Sequence, residues 1–160
     1  MSKINNLPIL HIYTILEFII LSWFYYILLK KDISYFIFIS VALLFTVFSL
    51  IGSVYIEIFF TFNTISRSLA SLVFIFLSVL RLLKSLTVED MAPNKNNKGV
   101  DYITAGFLVY FSGSIVLFSF SNYLNKLAYG LLLNIWSIHT LLLVLLYSAI
   151  TIGLLRYKIK

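Results

Sequence analysis

Five apolar runs, each about twenty residues or longer, follow one another along the chain with only short polar breaks between them. They cover residues 9–29, 34–56, 64–86, 102–121 and 131–155. An α-helix rises 1.5 Å per residue, so about twenty residues cross a hydrocarbon core of ~30 Å. Lipid offers no hydrogen-bond partners to the backbone, which leaves helices and closed barrels as the only spanning structures. Barrel strands would alternate apolar and polar residues over about ten positions, and these runs do not alternate. The expectation is an all-α, polytopic transmembrane bundle of five spans.

Composition agrees. Of 160 residues, 61% are hydrophobic and 11% charged, against about 45–50% and 25% in ordinary soluble domains. A water-soluble fold of this size could not cover that much apolar surface. This excludes a soluble enzyme, a nucleic-acid-binding module and a disordered tail. The lipid bilayer is the first partner implied, and the whole of 1–160 reads as one transmembrane domain. The chain has no cysteine, hence no disulfide, thiolate ligand or palmitoylation site. The opening MSKINNLPIL lacks the compact apolar segment and small-residue cleavage site of a secretory signal, so residues 9–29 read as a retained span.

Twelve Lys and Arg stand against six Asp and Glu, a net charge of +6. With five spans, Lys30, Lys31, Arg81, Lys84, Lys95, Lys98, Arg156, Lys158 and Lys160 fall on one side, and Lys3, Arg67 and Lys126 on the other. Basic residues accumulate on the cytoplasmic side. The N-terminus is therefore expected outside and the C-terminus inside, in the cell's inner (cytoplasmic) membrane. Residues 87–101, with Pro93, Gly99 and a cluster of Asn and charged residues, read as a flexible cytoplasmic loop. Tyr and Trp near span ends, among them Trp23, Tyr26, Tyr35 and Tyr102, fit interfacial belts. His11 is placed at the interface by the same reasoning.

Small and hydroxyl residues recur at sevens. Thr64, Ser71, Ser78 and Ser85 form one stripe; Ala105, Gly106, Ser112, Gly113 and Ser119 form another; Ser49, Gly52 and Ser53 sit on the second span. Such stripes bring membrane helices close together. They serve helix packing on one reading and line a polar path on another.

The scarce ionisable residues within the spans carry the most information. A charge at mid-bilayer costs about 2.5–3.5 kcal/mol on insertion scales and normally faces the bundle interior with a partner. Glu17 and His139 lie at similar depth from the outer side, Arg67 is one turn into the third span, and Glu57 ends the second. With Asn63, Asn122 and Asn134 they outline a polar cluster in the outer half, in which Glu17 and His139 are positioned to pair. This cluster is either a ligand, ion or proton-sensitive site or a set of pairs that orient the helices.

Ser112-Gly113 with His139 and Glu17 contains the residue types of a hydrolytic triad. The G-x-S-G pattern of intramembrane serine proteases nevertheless needs glycine at position 110, which is Tyr110. No HExxH, P-loop or GxGxxG occurs. The chain reads as a non-enzyme with no cofactor and no metal.

Three stretches carry a resemblance: Phe62-Asn-Thr-Ile-Ser-Arg-Ser-Leu-Ala-Ser-Leu72, Gly106-Phe-Leu-Val-Tyr-Phe-Ser-Gly-Ser-Ile-Val-Leu-Phe118 and Ile135-Trp-Ser-Ile-His139. Together they resemble a family of small multi-pass membrane proteins of Bacteroidetes associated with signalling near sensor histidine kinases. The resemblance implies a role for Asn63, Arg67, Tyr110, Ser112, Gly113, Trp136 and His139 as recurring positions. The chain departs from that pattern at Gly99-Val-Asp-Tyr102, where the family has proline and aromatics, and after His139, where leucines replace amides. A shorter stretch, residues 110–118, is similar to the sixth subunit of respiratory NADH dehydrogenase.

Three functions follow as expectations. The first is a non-enzymatic sensory or accessory subunit of a membrane signalling complex, with a membrane or cytoplasmic protein partner. The second is a small transporter or channel. The third is a membrane-active toxin or its immunity protein. Oligomeric state is left open.

Overall fold

The computed structural model describes residues 7–55, 63–89, 95–119 and 129–157. They form five α-helices: α1 (Leu7–Leu29), α2 (Tyr35–Tyr55), α3 (Thr64–Glu89), α4 (Lys95–Ser119) and α5 (Tyr129–Arg156). Each is long and apolar enough to cross a membrane. The chain is a multi-pass, all-α membrane protein.

The helices overrun the apolar windows. α3 continues to Glu89 and α4 starts at Lys95, so most of the expected 87–101 loop is helical. Hydropathy marks where the hydrocarbon ends, whereas helix propagation depends on backbone propensity; Glu and Lys are good helix formers wherever they lie.

The described chain packs as two compact units. Of the described residues, the first holds 7–55, 63–70 and 118–119, the second 71–89, 95–117 and 129–157.

In the first unit α1 and α2 form an antiparallel hairpin. The intervening turn is closed by bonds from the Asp32 and Ile33 amides to the Leu29 carbonyl, at 2.9 and 3.0 Å. The buried positions of α1 are His11, Thr14, Phe18, Ser22, Tyr25 and Leu29, a stripe advancing by three or four residues. On α2 they are Phe38, Phe45, Ser49, Gly52 and Ser53. Phe18 stacks on Phe45 with ring centroids 3.7 Å apart. At the far end of α2, Gly52 lies where an added Cβ would be 3.8 Å from Ser66 Oγ, which brings the start of α3 against it. Ser68 Oγ on α3 and Ser119 Oγ on α4 share a hydrogen bond of 2.9 Å.

In the second unit α4 and α5 pack through a glycine ridge. A Cβ on Gly99 would fall 2.6 Å from the Gly153 carbonyl oxygen. On Gly106 it would fall 2.6 Å from Ala149 Cβ, and on Gly113 2.6 Å from Leu142 Cδ1. Partners descend from 153 to 142 as the glycines ascend from 99 to 113, the register of antiparallel helices. Phe74 of α3 meets Phe111 of α4 with centroids 5.0 Å apart.

Candidate functional site

The polar residues of the first unit gather on the helix faces that the hairpin and α3 bury. Arg67 enters one turn after the start of α3, where the Arg67 amide bonds the Asn63 carbonyl at 3.3 Å. Arg67 Nη1 forms an ion pair with Glu17 Oε2 of α1, and Nη2 reaches Oε1 at 3.5 Å. Both side chains are largely withdrawn from the surface, at 8% and 15% exposure. The guanidinium carbon lies 4.8 Å from the centroid of Phe118 and 5.4 Å from that of Tyr13. Two aromatic faces therefore add quadrupole attraction where bulk water is excluded. The arrangement neutralises the two charges that hydrocarbon penalises most.

A second polar link lies in the same unit. His11 Nδ1 is 2.6 Å from Ser53 Oγ of α2, and the Ser53 hydroxyl donates to the Ser49 carbonyl at 2.7 Å. His11, one turn into α1, is fully buried within the protein at 1% exposure. It shares the stripe of Thr14, Phe18 and Ser22, so the reason is visible in the spacing 11, 14, 18, 22. Polar residues obscured that stripe because hydropathy treats each of them as a break.

Asn63 is also buried, and neither atom of its side-chain amide has a hydrogen-bond partner among the described residues. Glu57 and Asn122 lie outside the described residues, as does the side chain of Asn134. Among the described residues no group of His, Asp and Glu could hold a metal.

His139 belongs to the second unit, where its ring lies 5.9 Å from the rings of both Tyr110 and Trp136. The carboxylate of Glu17, in the first unit, pairs with Arg67. The expected helix-packing residues divide as well. Ser71 and Ser78 are fully buried, Gly106 and Gly113 approach α5, and Ser112 stands on the exposed side of α4 while Ser114 is buried.

The second unit contains a charged centre that the charge count concealed. Arg81 of α3 is buried and its Nη2 lies 3.1 Å from Asp101 Oδ1 of α4. The Ser85 hydroxyl donates to the other oxygen of Asp101. Arg156 Nη1 donates to the Tyr102 hydroxyl at 2.9 Å, with the guanidinium 4.6 Å from the ring centroid. Arg81 reads in sequence as a topology signal and Asp101 as loop. Their spacing of 20 residues carries no local pattern, although Ser78, Arg81 and Ser85 at i, i+3 and i+7 fall on one face of α3.

No family model, curated protein or solved structure matches this chain.

Proposed function

We propose that this chain is a non-enzymatic sensory or accessory subunit of a membrane signalling complex. It lies in the cytoplasmic membrane with its N-terminus outside and its C-terminus inside. The observation that carries the reading is the Glu17–Arg67 pair enclosed by Tyr13 and Phe118. A charge pair satisfied within the protein couples α1 to α3 and offers no vacant charge to a travelling ion. A transporter would more naturally place its site on interrupted helices with exposed backbone groups, and the helices flanking this pair run without an interior proline. The resemblance of residues 62–72, 106–118 and 135–139 to the signalling-associated Bacteroidetes family supports the same reading.

The test is in-membrane crosslinking followed by affinity capture of the full chain from native membranes. Recovery of a membrane or cytoplasmic signalling protein, reduced several-fold in a Glu17→Gln variant that still inserts, is the expected result. Capture of no partner, together with solute flux in liposomes that Glu17→Gln abolishes, assigns the chain to transport instead.

A further inference from the structure

The α1–α2 hairpin carries a hollow of about 370 Å³ on its outer surface. Its lining includes Trp23 and Tyr26 of α1 and Tyr35 and Phe38 of α2, with Ser22 and Ala42 as the small side chains. The aromatic residues are organised: Tyr26 is 5.3 Å from Tyr35, 5.7 Å from Phe38 and 5.5 Å from Trp23 by ring centroids. On α2 the lining runs from Tyr35 to Ala42, about 10 Å of helix, or roughly a third of a hydrocarbon core.

At one end the lining stops at Tyr26 and Tyr35, on either side of the connection between the helices, and that connection holds Lys30 and Lys31, both exposed. Asp32 offsets one of the two charges, so the turn stays cationic. Tyr and Trp, present at the same end, are the residue types whose rings bridge hydrocarbon and headgroups. An apolar trough opening onto aromatic rings and then onto a lysine pair follows the order of parts in a phospholipid with an anionic headgroup: acyl chain, glycerol region, phosphate. Juxtamembrane lysines attract such lipids. A second copy docked by two-fold symmetry would bring this lysine pair onto its own equivalent, like charge on like, which disfavours that occupant.

We infer that the α1–α2 hairpin binds an anionic phospholipid, with one acyl chain in the hollow under Trp23 and Tyr26 and the headgroup on Lys30 and Lys31. The site is separate from the Glu17–Arg67 pair and does not depend on the proposed signalling role.

Trp23 is a built-in reporter, since the chain has only two tryptophans. Trp136→Phe leaves Trp23 alone. The full-length variant is reconstituted in phosphatidylcholine vesicles containing one-fifth brominated phosphatidylglycerol or, in parallel, one-fifth brominated phosphatidylcholine. Quenching of Trp23 is expected to be at least ~2-fold stronger with the brominated anionic lipid, reflecting its local enrichment at the lysine pair. Lys30→Gln with Lys31→Gln removes that preference, Lys30→Arg with Lys31→Arg keeps it, and Lys84→Gln leaves it unchanged. Ala42→Phe fills the hollow and lowers quenching by the anionic lipid. Equal quenching by the two lipids overturns the inference, as does a preference that survives loss of both lysines. Quenching by neither lipid overturns it too, and marks the hollow as covered by protein.

Discussion

At the scale of single residues, the Glu17–Arg67 pair is the most consequential feature. Breaking a buried pair by removing one partner costs about 3–5 kcal/mol because a charge is left uncompensated, whereas replacing both partners is far milder. Arg67→Met therefore leaves the Glu17 carboxylate without its guanidinium, and Glu17→Gln removes the negative charge paired with Arg67. Each single variant is expected to lose at least ~2 kcal/mol, and the Glu17→Gln/Arg67→Met double variant to recover more than half of the summed loss. Reversible unfolding in mixed micelles measures the cycle. Additive single losses would show that the two side chains do not act as a pair. A parallel cycle on His11→Phe and Ser53→Ala isolates the second link, whose coupling is expected to be smaller, about 1 kcal/mol for a neutral hydrogen bond.

The same residues show what could be read without coordinates. Glu17 and Arg67 were both expected in one polar cluster because an intramembrane charge has few places to go. Their pairing was less visible, since Arg67 is one turn into its helix and Glu17 nearly three into its own. A long guanidinium stem bridges that difference in depth, and sequence position does not report reach. His11 and Arg81 are buried and have partners that the sequence did not reveal, for a common reason. Each lies near a span end, where interfacial and buried positions have the same hydropathy and only the stripe on the helix distinguishes them.

At the scale of elements, the contact between α4 and α5 is decided by glycines at 99, 106 and 113. Sequence reading found the second and third and took the first as loop punctuation, because it sits among Asn and Lys. The structure places all three on one ridge, with different tolerance for a methyl group at each. At Gly99 the obstacle is the carbonyl oxygen of Gly153, with the Tyr157 backbone amide at 3.1 Å, and at Gly106 it is the Cβ of Ala149. Backbone and Cβ atoms cannot move without moving a helix. At Gly113 all three nearest atoms are the end of the Leu142 side chain, which can change rotamer. Gly99→Ala and Gly106→Ala are therefore expected to cost about 1–3 kcal/mol through overpacking, and Gly113→Ala clearly less. Gly52→Ala should be neutral or slightly stabilising, because the nearest atom is 3.8 Å away and alanine is favoured over glycine in a helix interior by roughly 0.5–1 kcal/mol. Unfolding midpoints of the four variants rank the sites. A Gly52→Ala loss as large as that of Gly106→Ala would contradict the ridge.

The fold class was legible because lipid removes nearly every alternative to a helix, so length and apolarity suffice. Helix ends were not, since Glu89 and Lys95 lie past the apolar windows yet continue the helices. The pairing of Arg81 with Asp101 also depends on where two ends meet in space. Ser85 and Asp101 are 16 residues apart in sequence, and nothing in either segment names the other.

At the scale of the whole molecule, the remaining question is which way the chain faces, and the structure changes the count that bears on it. Arg67 and Arg81 are buried and ion-paired with Glu17 and Asp101, so they hold helices together and contribute little to topology. Without them, eight basic residues remain on the side of the α1–α2 turn and the C-terminus, against Lys3 and Lys126 on the other. The asymmetry is steeper than the raw total of twelve suggests, and it rests on exposed lysines such as Lys30, Lys31 and Lys98. The expected orientation is N-terminus outside and C-terminus inside. The absence of cysteine makes this directly measurable, because any cysteine introduced is the only thiol. In intact cells a membrane-impermeant maleimide is expected to label Asn5→Cys and to spare Lys31→Cys, Lys98→Cys and Lys158→Cys, all of which become labelled after permeabilisation. Labelling of Lys98→Cys in intact cells would invert the topology. Labelling of Asn5→Cys and Lys158→Cys from the same side would mean that the five helices do not all cross.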